Sequence, residues 1–233
     1  MKIIYRISDA GYNKVKPVYI NNENCLKNTV SIFGNKDIEI IADNCSEKTL
    51  SMVKKYIHPN NIKQVSIGHG AGTFNLALDS ALKLEDKEIV YFLENDYLHK
   101  PNADKILLEG FSIGSDYVSL YDHPDKYIDG ANPFVESGGE ITRVMISNSC
   151  HWKLTNSTTM TFAAKVKTLK EDETVLREYT NESYPRDFEM FLKLREIGKS
   201  LVTSIPGYST HGETAWLTPL VNWEKINNET NYE

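Results

Sequence analysis

Four times in its first hundred residues the chain runs through a short apolar, β-prone stretch and then breaks off into polar or glycine-rich residues. The stretches are residues 3–7, 38–42, 65–67 and 89–93. They end in Ser8-Asp9-Ala10-Gly11, Asp43-Asn44-Cys45-Ser46, Gly68-His69-Gly70-Ala71-Gly72-Thr73 and Glu94-Asn95-Asp96. Between them apolar residues recur at helical spacing: Leu26, Val30 and Phe33 before Gly34; Leu50, Val53 and Ile57 after Ser46-Glu47; then Phe74, Ala77, Leu78, Ala81 and Leu82. Strands alternating with helices in this way specify βαβ units and an α/β fold with a mostly parallel central sheet flanked by helices. Residues 89–93 are apolar throughout, as a strand buried on both faces must be. In open α/β sheets ligands bind outside the carboxyl ends of the strands, so the four polar ends are expected to line one crevice.

From residue 115 the rhythm changes. Residues 116–120 and 141–146 read as strands separated by a loop with Pro124, Pro133, Gly138 and Gly139. Met160, Phe162, Ala164 and Val166 alternate at period two, as in a half-buried strand. A helix is expected over 187–197, closed by Gly198, then a strand over 201–205 and a tail rich in turn formers and aromatics, folded over the site. The expected organisation is one domain over 1–233: a first half (1–100), a second half (101–205) and the tail (206–233).

Composition narrows the function. The 233 residues carry 26 Lys+Arg against 32 Asp+Glu, a net charge of −6, which argues against a nucleic-acid partner. No apolar run approaches the roughly 20 residues of a spanning helix, and the N-terminus turns polar at Ser8-Asp9 without the apolar stretch of a secretory signal. Cys25, Cys45 and Cys150 are far apart and form no Cys-x-x-Cys pair, which fits a reducing, cytoplasmic setting.

The acidic end of the fourth strand is the most informative motif. Two acidic residues two positions apart at the end of an apolar strand suit a divalent cation with oxygen ligands, and a solvated turn or helix cap explains them equally well. Asp43 and Ser8-Asp9 offer acceptors for a base or ribose, or caps for the following helices. Arg6 faces either a phosphate or a carboxylate. The glycine run at 68–72 lets amides approach a pyrophosphate at a helix N-terminus, yet it matches neither G-x-G-x-x-G nor a P-loop.

The order of these motifs resembles the family 2 glycosyltransferases of the GT-A fold, in which the acidic triplet is the DXD motif, and is similar to the rhamnosyltransferase-like domains of large algal viruses. That resemblance implies a metal-dependent, inverting transferase with Mn²⁺ or Mg²⁺ held by Asp96. Glu94 or Asn95 would lie near the ribose or donor sugar, Asp43 would read the base, and Ser8 and Asp9 would line the nucleotide pocket. Gly72 and Asn75 would sit by the donor, and a tail histidine, His211, would add a metal ligand. Asp187, opening the late helix, would be the base that deprotonates an acceptor hydroxyl; its plainer role is to cap that helix. The donor would be a nucleotide sugar, by family habit a UDP-sugar, and the acceptor a saccharide of a surface polysaccharide, lipopolysaccharide or viral glycan. Glu94 and Asn95 stand where Asp is commoner, which weakens the motif. Two rival readings are a sugar nucleotidyltransferase, for which the loop after the first strand is too short and too acidic, and an inactive glycan-binding module.

Overall fold

The computed structural model describes residues 1–10 and 14–230. The alternation of the first half becomes β1 (Lys2–Ser8), α1 (Asn22–Phe33), β2 (Ile38–Asp43), α2 (Glu47–Val53), β3 (Ile62–Val65), α3 (Gly70–Ala81) and β4 (Ile89–Glu94). A short β5 (Tyr97–His99) and α4 (Ala103–Ser112) lead to β6 (Tyr117–Ser119), the hairpin of β7 (Val135–Glu136) and β8 (Gly139–Glu140), β9 (Val144–Ile146) and β10 (His151–Leu154). Then come β11 (Phe162–Lys165), α5 (Val166–Glu171), α6 (Glu173–Glu178), α7 (Asp187–Glu196), β12 (Leu201–Ile205), β13 (Ser209–His211) and α8 (Trp223–Asn228).

Nine of these strands form one sheet in the order β3-β2-β1-β4-β11-β6-β12-β10-β9. β1, β2, β3 and β4 run parallel, while β11 inserts antiparallel between β4 and β6. The sheet is buried on both faces because its central strands are apolar on both. Ile3, Tyr5 and Ile7 of β1 enter one core cluster and Ile4 the other, where Phe74, Phe92 and Phe162 pack with ring centroids 5.2–5.9 Å apart. Caps fall where the sequence places them: Ser46 Oγ accepts from Thr49 N at the start of α2, and Gly34, at φ 72°, closes α1.

Several expected boundaries shift. The third strand is Ile62–Val65 rather than 65–67, because the Ile67 and Gly68 amides donate to the Asp43 carboxylate instead of a ladder. Residues 141–146 contribute only Val144–Ile146, since Ile141 N donates to Phe134 O beside the β7–β8 hairpin. Met160 lies outside its strand in left-handed backbone, φ 55°, next to Thr159 at 51°. Val166 opens a helix because its amide and that of Lys167 donate to Glu88 O and Asp86 O, turning the chain away. α2 ends at Val53, so Ile57 is buried beyond the helix. No helix among the described residues is long and apolar enough to cross a membrane.

Candidate functional site

Strand register builds the site. Arg6 of β1 lies beside Glu94 of β4, and Ser8 beside Asp43 of β2. These ends face a cavity of about 430 Å³ lined by Arg6, Ser8, Asp9, Lys14, Lys16, Asn22, Asp43, Gly68, His69, Gly70, Thr73, Glu94, Asn95 and Asp96. The tail reaches the same place through a second, two-stranded sheet, in which β13 pairs antiparallel with β5 and sets His211 opposite Tyr97. Gly212 is required there, because a Cβ would lie 2.8 Å from the Asp96 carbonyl and 2.5 Å from Ile20.

Glu94, Asp96 and His211 thus offer one ligand atom each, all within 4.8 Å of one another. His211 Nε2 is 3.3 Å from Asp96 Oδ2. Lysine ammoniums stand where a cation belongs: Lys16 Nζ donates to Asp96 Oδ2 at 2.8 Å, and Lys14 Nζ lies 3.0 Å from His211 Nε2. His211 Nε2 thus faces both Lys14 and Asp96, and it is the ring atom through which an imidazole at this place would ligate a metal. Two carboxylates and an imidazole already gathered around cationic groups are a donor set that fits Mn²⁺ or Mg²⁺. Burial opposes ionisation of Asp96, but His211 and Lys16 outweigh it and hold its carboxyl well below the usual range. Glu94 is oriented by Arg6, whose guanidinium sits 3.2 Å away, donates to Gly70 O and Met160 O, and lies over the Phe74 ring.

The remaining residues singled out from sequence divide in two. Ser8, Asp9, Asp43 and Asn95 line the cavity, with much of their bonding capacity already committed. Asp9 accepts from Ser46 N and Thr49 Oγ1 and so braces the start of α2. Asp43 accepts from the Ile67 and Gly68 amides, and Asn95 Nδ2 donates to Asn22 Oδ1. Gly72 and Asn75 lie elsewhere. The Gly72 amide donates to His69 Nδ1, and a Cβ there would meet Ile67 at 2.4 Å, so this glycine permits close packing and offers no amide to a pyrophosphate. Asn75 donates to Thr180 O and accepts from Thr180 Oγ1 and Arg177, tying α3 to the end of α6.

Asp187 does not cap its own helix. It accepts four hydrogen bonds, from the Thr158, Thr159 and Met160 amides and Thr158 Oγ1, at 2.6–3.1 Å. The turn it holds is bonded from the other side by the acidic motif's neighbours, Arg6 to Met160 O and Tyr97 Oη to Thr158 O. Asp187 is thus linked to Glu94 through the 158–160 turn and Arg6, and it does not itself line the cavity. Of the tryptophans, Trp152 and Trp223 are buried, and Trp216 packs on His123.

Lys14, Lys16, Asn22, His69 and Thr73 line the cavity without having been singled out as site residues by the sequence. The one available signal was a pair of lysines two apart directly after the first polar turn.

No known sequence family matches the chain, and no curated protein matches it in sequence. Solved structures do. GalNAc-T7 with UDP, GalNAc and Mn²⁺ superposes with a TM-score of 0.58 at 13% identity, covering 93% of this chain and 44% of that one. TarS 1-349 of S. aureus superposes at 0.51 with 19% identity, covering 90% of this chain and 60% of its own. TarS with UDP-GlcNAc gives 0.50 at 18%, covering 90% and 58%. The chain has the GT-A fold. It spans about half the length of the GT-A chains it matches, and at these identities the likeness is one of fold. Within the GT-A frame, Glu94-Asn95-Asp96 ends β4 at the sheet's central crevice, where the cavity lies.

Proposed function

We propose that this GT-A chain is a metal-dependent, inverting glycosyltransferase that moves a hexose or deoxyhexose from a UDP-sugar to a saccharide hydroxyl. The observation that carries the reading is the meeting of His211 with Glu94 and Asp96, more than a hundred residues earlier in sequence and lining the cavity formed by the strand ends. UDP is chosen because structures sharing the fold were solved with UDP or UDP-GlcNAc.

Glu94, Asp96 and His211 would hold Mn²⁺ or Mg²⁺, which when bound neutralises charge developing on the leaving diphosphate. Asp43, nearly buried, together with Ser8 and Asp9 would receive the nucleoside. Arg6 keeps Glu94 in place through the Met160 and Gly70 carbonyls. Asp187 is the proposed base. The acceptor oxygen forms a bond to the anomeric carbon as the sugar–phosphate bond breaks, the bonding pair leaves with the diphosphate, and the acceptor's proton passes to Asp187. Since its oxygens already accept four hydrogen bonds, proton uptake releases one donor of the 158–160 turn.

The test is UDP release on adding UDP-sugars and saccharide acceptors with Mn²⁺, with the product's anomeric configuration read by NMR. Transfer with inversion that is lost in Asp187→Asn supports the reading. Retention of configuration, or full activity in Asp187→Asn, overturns the mechanism.

A further inference from the structure

The segment carrying Lys14 and Lys16 has no regular structure until α1, and Val15 and Val18 on it are 78% and 95% exposed. It is nevertheless pinned: Thr214 N donates to Val15 O at 2.8 Å, and buried Ile20 lies against Gly212. Both anchors belong to the tail that presents His211. The two ammoniums therefore reach the ligand atoms from a tether fixed beside them, Lys16 at 2.8 Å from Asp96 Oδ2 and Lys14 at 3.0 Å from His211 Nε2.

A divalent ion ligated by Asp96 and an ammonium hydrogen-bonded to the same oxygen compete for one position, because ligand distances of about 2.0–2.6 Å leave no room for both and like charges repel. Metal entry must evict Lys16, and its tether keeps the evicted ammonium beside the cavity it lines. We propose that Lys14 and Lys16 form a cationic strap that exchanges partners: in the resting protein Lys16 pairs with Asp96 and Lys14 sits against His211, and on loading the strap turns to the diphosphate of the nucleotide. The proposal rests on the metal-nucleotide reading above and adds that this chain's own lysines oppose the metal when it comes alone and assist it when it comes with the nucleotide.

Opposite signs in two binding measurements test this. Free Mn²⁺ is followed by electron paramagnetic resonance, and UDP binding at saturating Mn²⁺ by calorimetry, in wild type, the Lys14→Met/Lys16→Met double variant and Lys16→Arg. The double variant should bind Mn²⁺ alone about tenfold tighter and UDP with Mn²⁺ about tenfold weaker, the scale of one charge-assisted hydrogen bond. Lys16→Arg, which keeps the charge, should stay near wild type in both. Equal or weaker Mn²⁺ binding by the double variant, or unchanged UDP affinity, overturns the strap while leaving the metal site standing. Failure of all three proteins to bind Mn²⁺ overturns the metal-site reading and the strap together.

Discussion

Two groups of charges sit in this sheet, and their surroundings differ. At the ends of β1 and β4, Arg6, Lys14, Lys16, Glu94 and Asp96 face an open cavity, with His211 beside Asp96, and the Lys16 side chain is 31% exposed. Between β10 and the β7–β8 hairpin, Lys153 lies 2.9 Å from Asp122 and 3.2 Å from Glu140, and all three side chains are 3% exposed. Burial works against the Lys153 ammonium, but Asp122 and Glu140 outweigh it and raise its pKa; burial prevails at Glu140 and raises its pKa as well. The first group can trade a protein cation for another because solvent and a tether allow it. The second is shut away from solvent, and its charges serve the fold. Buried charge marks a binding site only where something can enter.

The largest expected effect separates the two groups. Lys153→Met leaves two carboxylates buried without their cation and should lower stability by about 3–5 kcal/mol, read by urea denaturation, with UDP affinity at saturating Mn²⁺ unchanged in the folded fraction. A loss of under 1 kcal/mol would place Lys153 with the exchangeable charges. Asp96→Ala should do the reverse: turnover falls on the order of 100-fold or more, about 2.7 kcal/mol of transition-state stabilisation, while the melting temperature moves little because Lys16 can hydrate.

How far the sequence foretold this division depends on how local each signal is. Glu94 and Asp96 are legible because they continue an apolar strand, whereas His211, in a polar tail where a surface histidine is equally ordinary, is pointed to only by the resemblance. Gly72 and Asn75 were misplaced because their partners are tertiary: Ile67 and His69 crowd Gly72, and Asn75 meets Thr180 across 105 residues. Asp187 was found at the right helix start, but its four-donor grip on the 158–160 turn depends on left-handed backbone at Thr159 and Met160 that no periodicity reveals. The short helices α5 and α6 were missed because a strand-like alternation runs through Val166 until the chain is turned by Asp86 and Glu88. Lys14 and Lys16 were passed over because lysines in a polar loop are commonplace, and only the fold shows that the loop returns to the acidic motif.

Smaller effects sharpen the boundary between the groups. His99, three residues past Asp96, belongs to the sealed side, and burial lowers its pKa to about 3 from an ordinary 6.5. The unfolded chain therefore binds a proton that the folded one refuses. Stability is whole above 6.5 and declines as pH falls below it, by up to about 1.4 kcal/mol per unit; His99→Gln should flatten that slope in thermal melts between pH 7 and the onset of general acid unfolding. Asp9 stands on the boundary, since it lines the cavity and also braces the Ser46 cap of α2. Burial is the largest single influence and works against its carboxylate, but the hydrogen bonds from Thr49 and Ser46 together prevail and lower its pKa, so its contribution is present at neutral pH and lost as pH falls through the carboxylate range. Asp9→Ala should cost about 1 kcal/mol, the scale of a lost cap, and leave a shallower acid dependence. A UDP affinity that falls more than stability does would place Asp9 with the binding groups.

The measurement closest to the central claim is a calorimetric titration of UDP into wild type and Asp96→Ala, with and without Mn²⁺. The account predicts binding by wild type that depends on Mn²⁺ and is lost in Asp96→Ala. Equal binding without the metal, or binding that survives in Asp96→Ala, would contradict it.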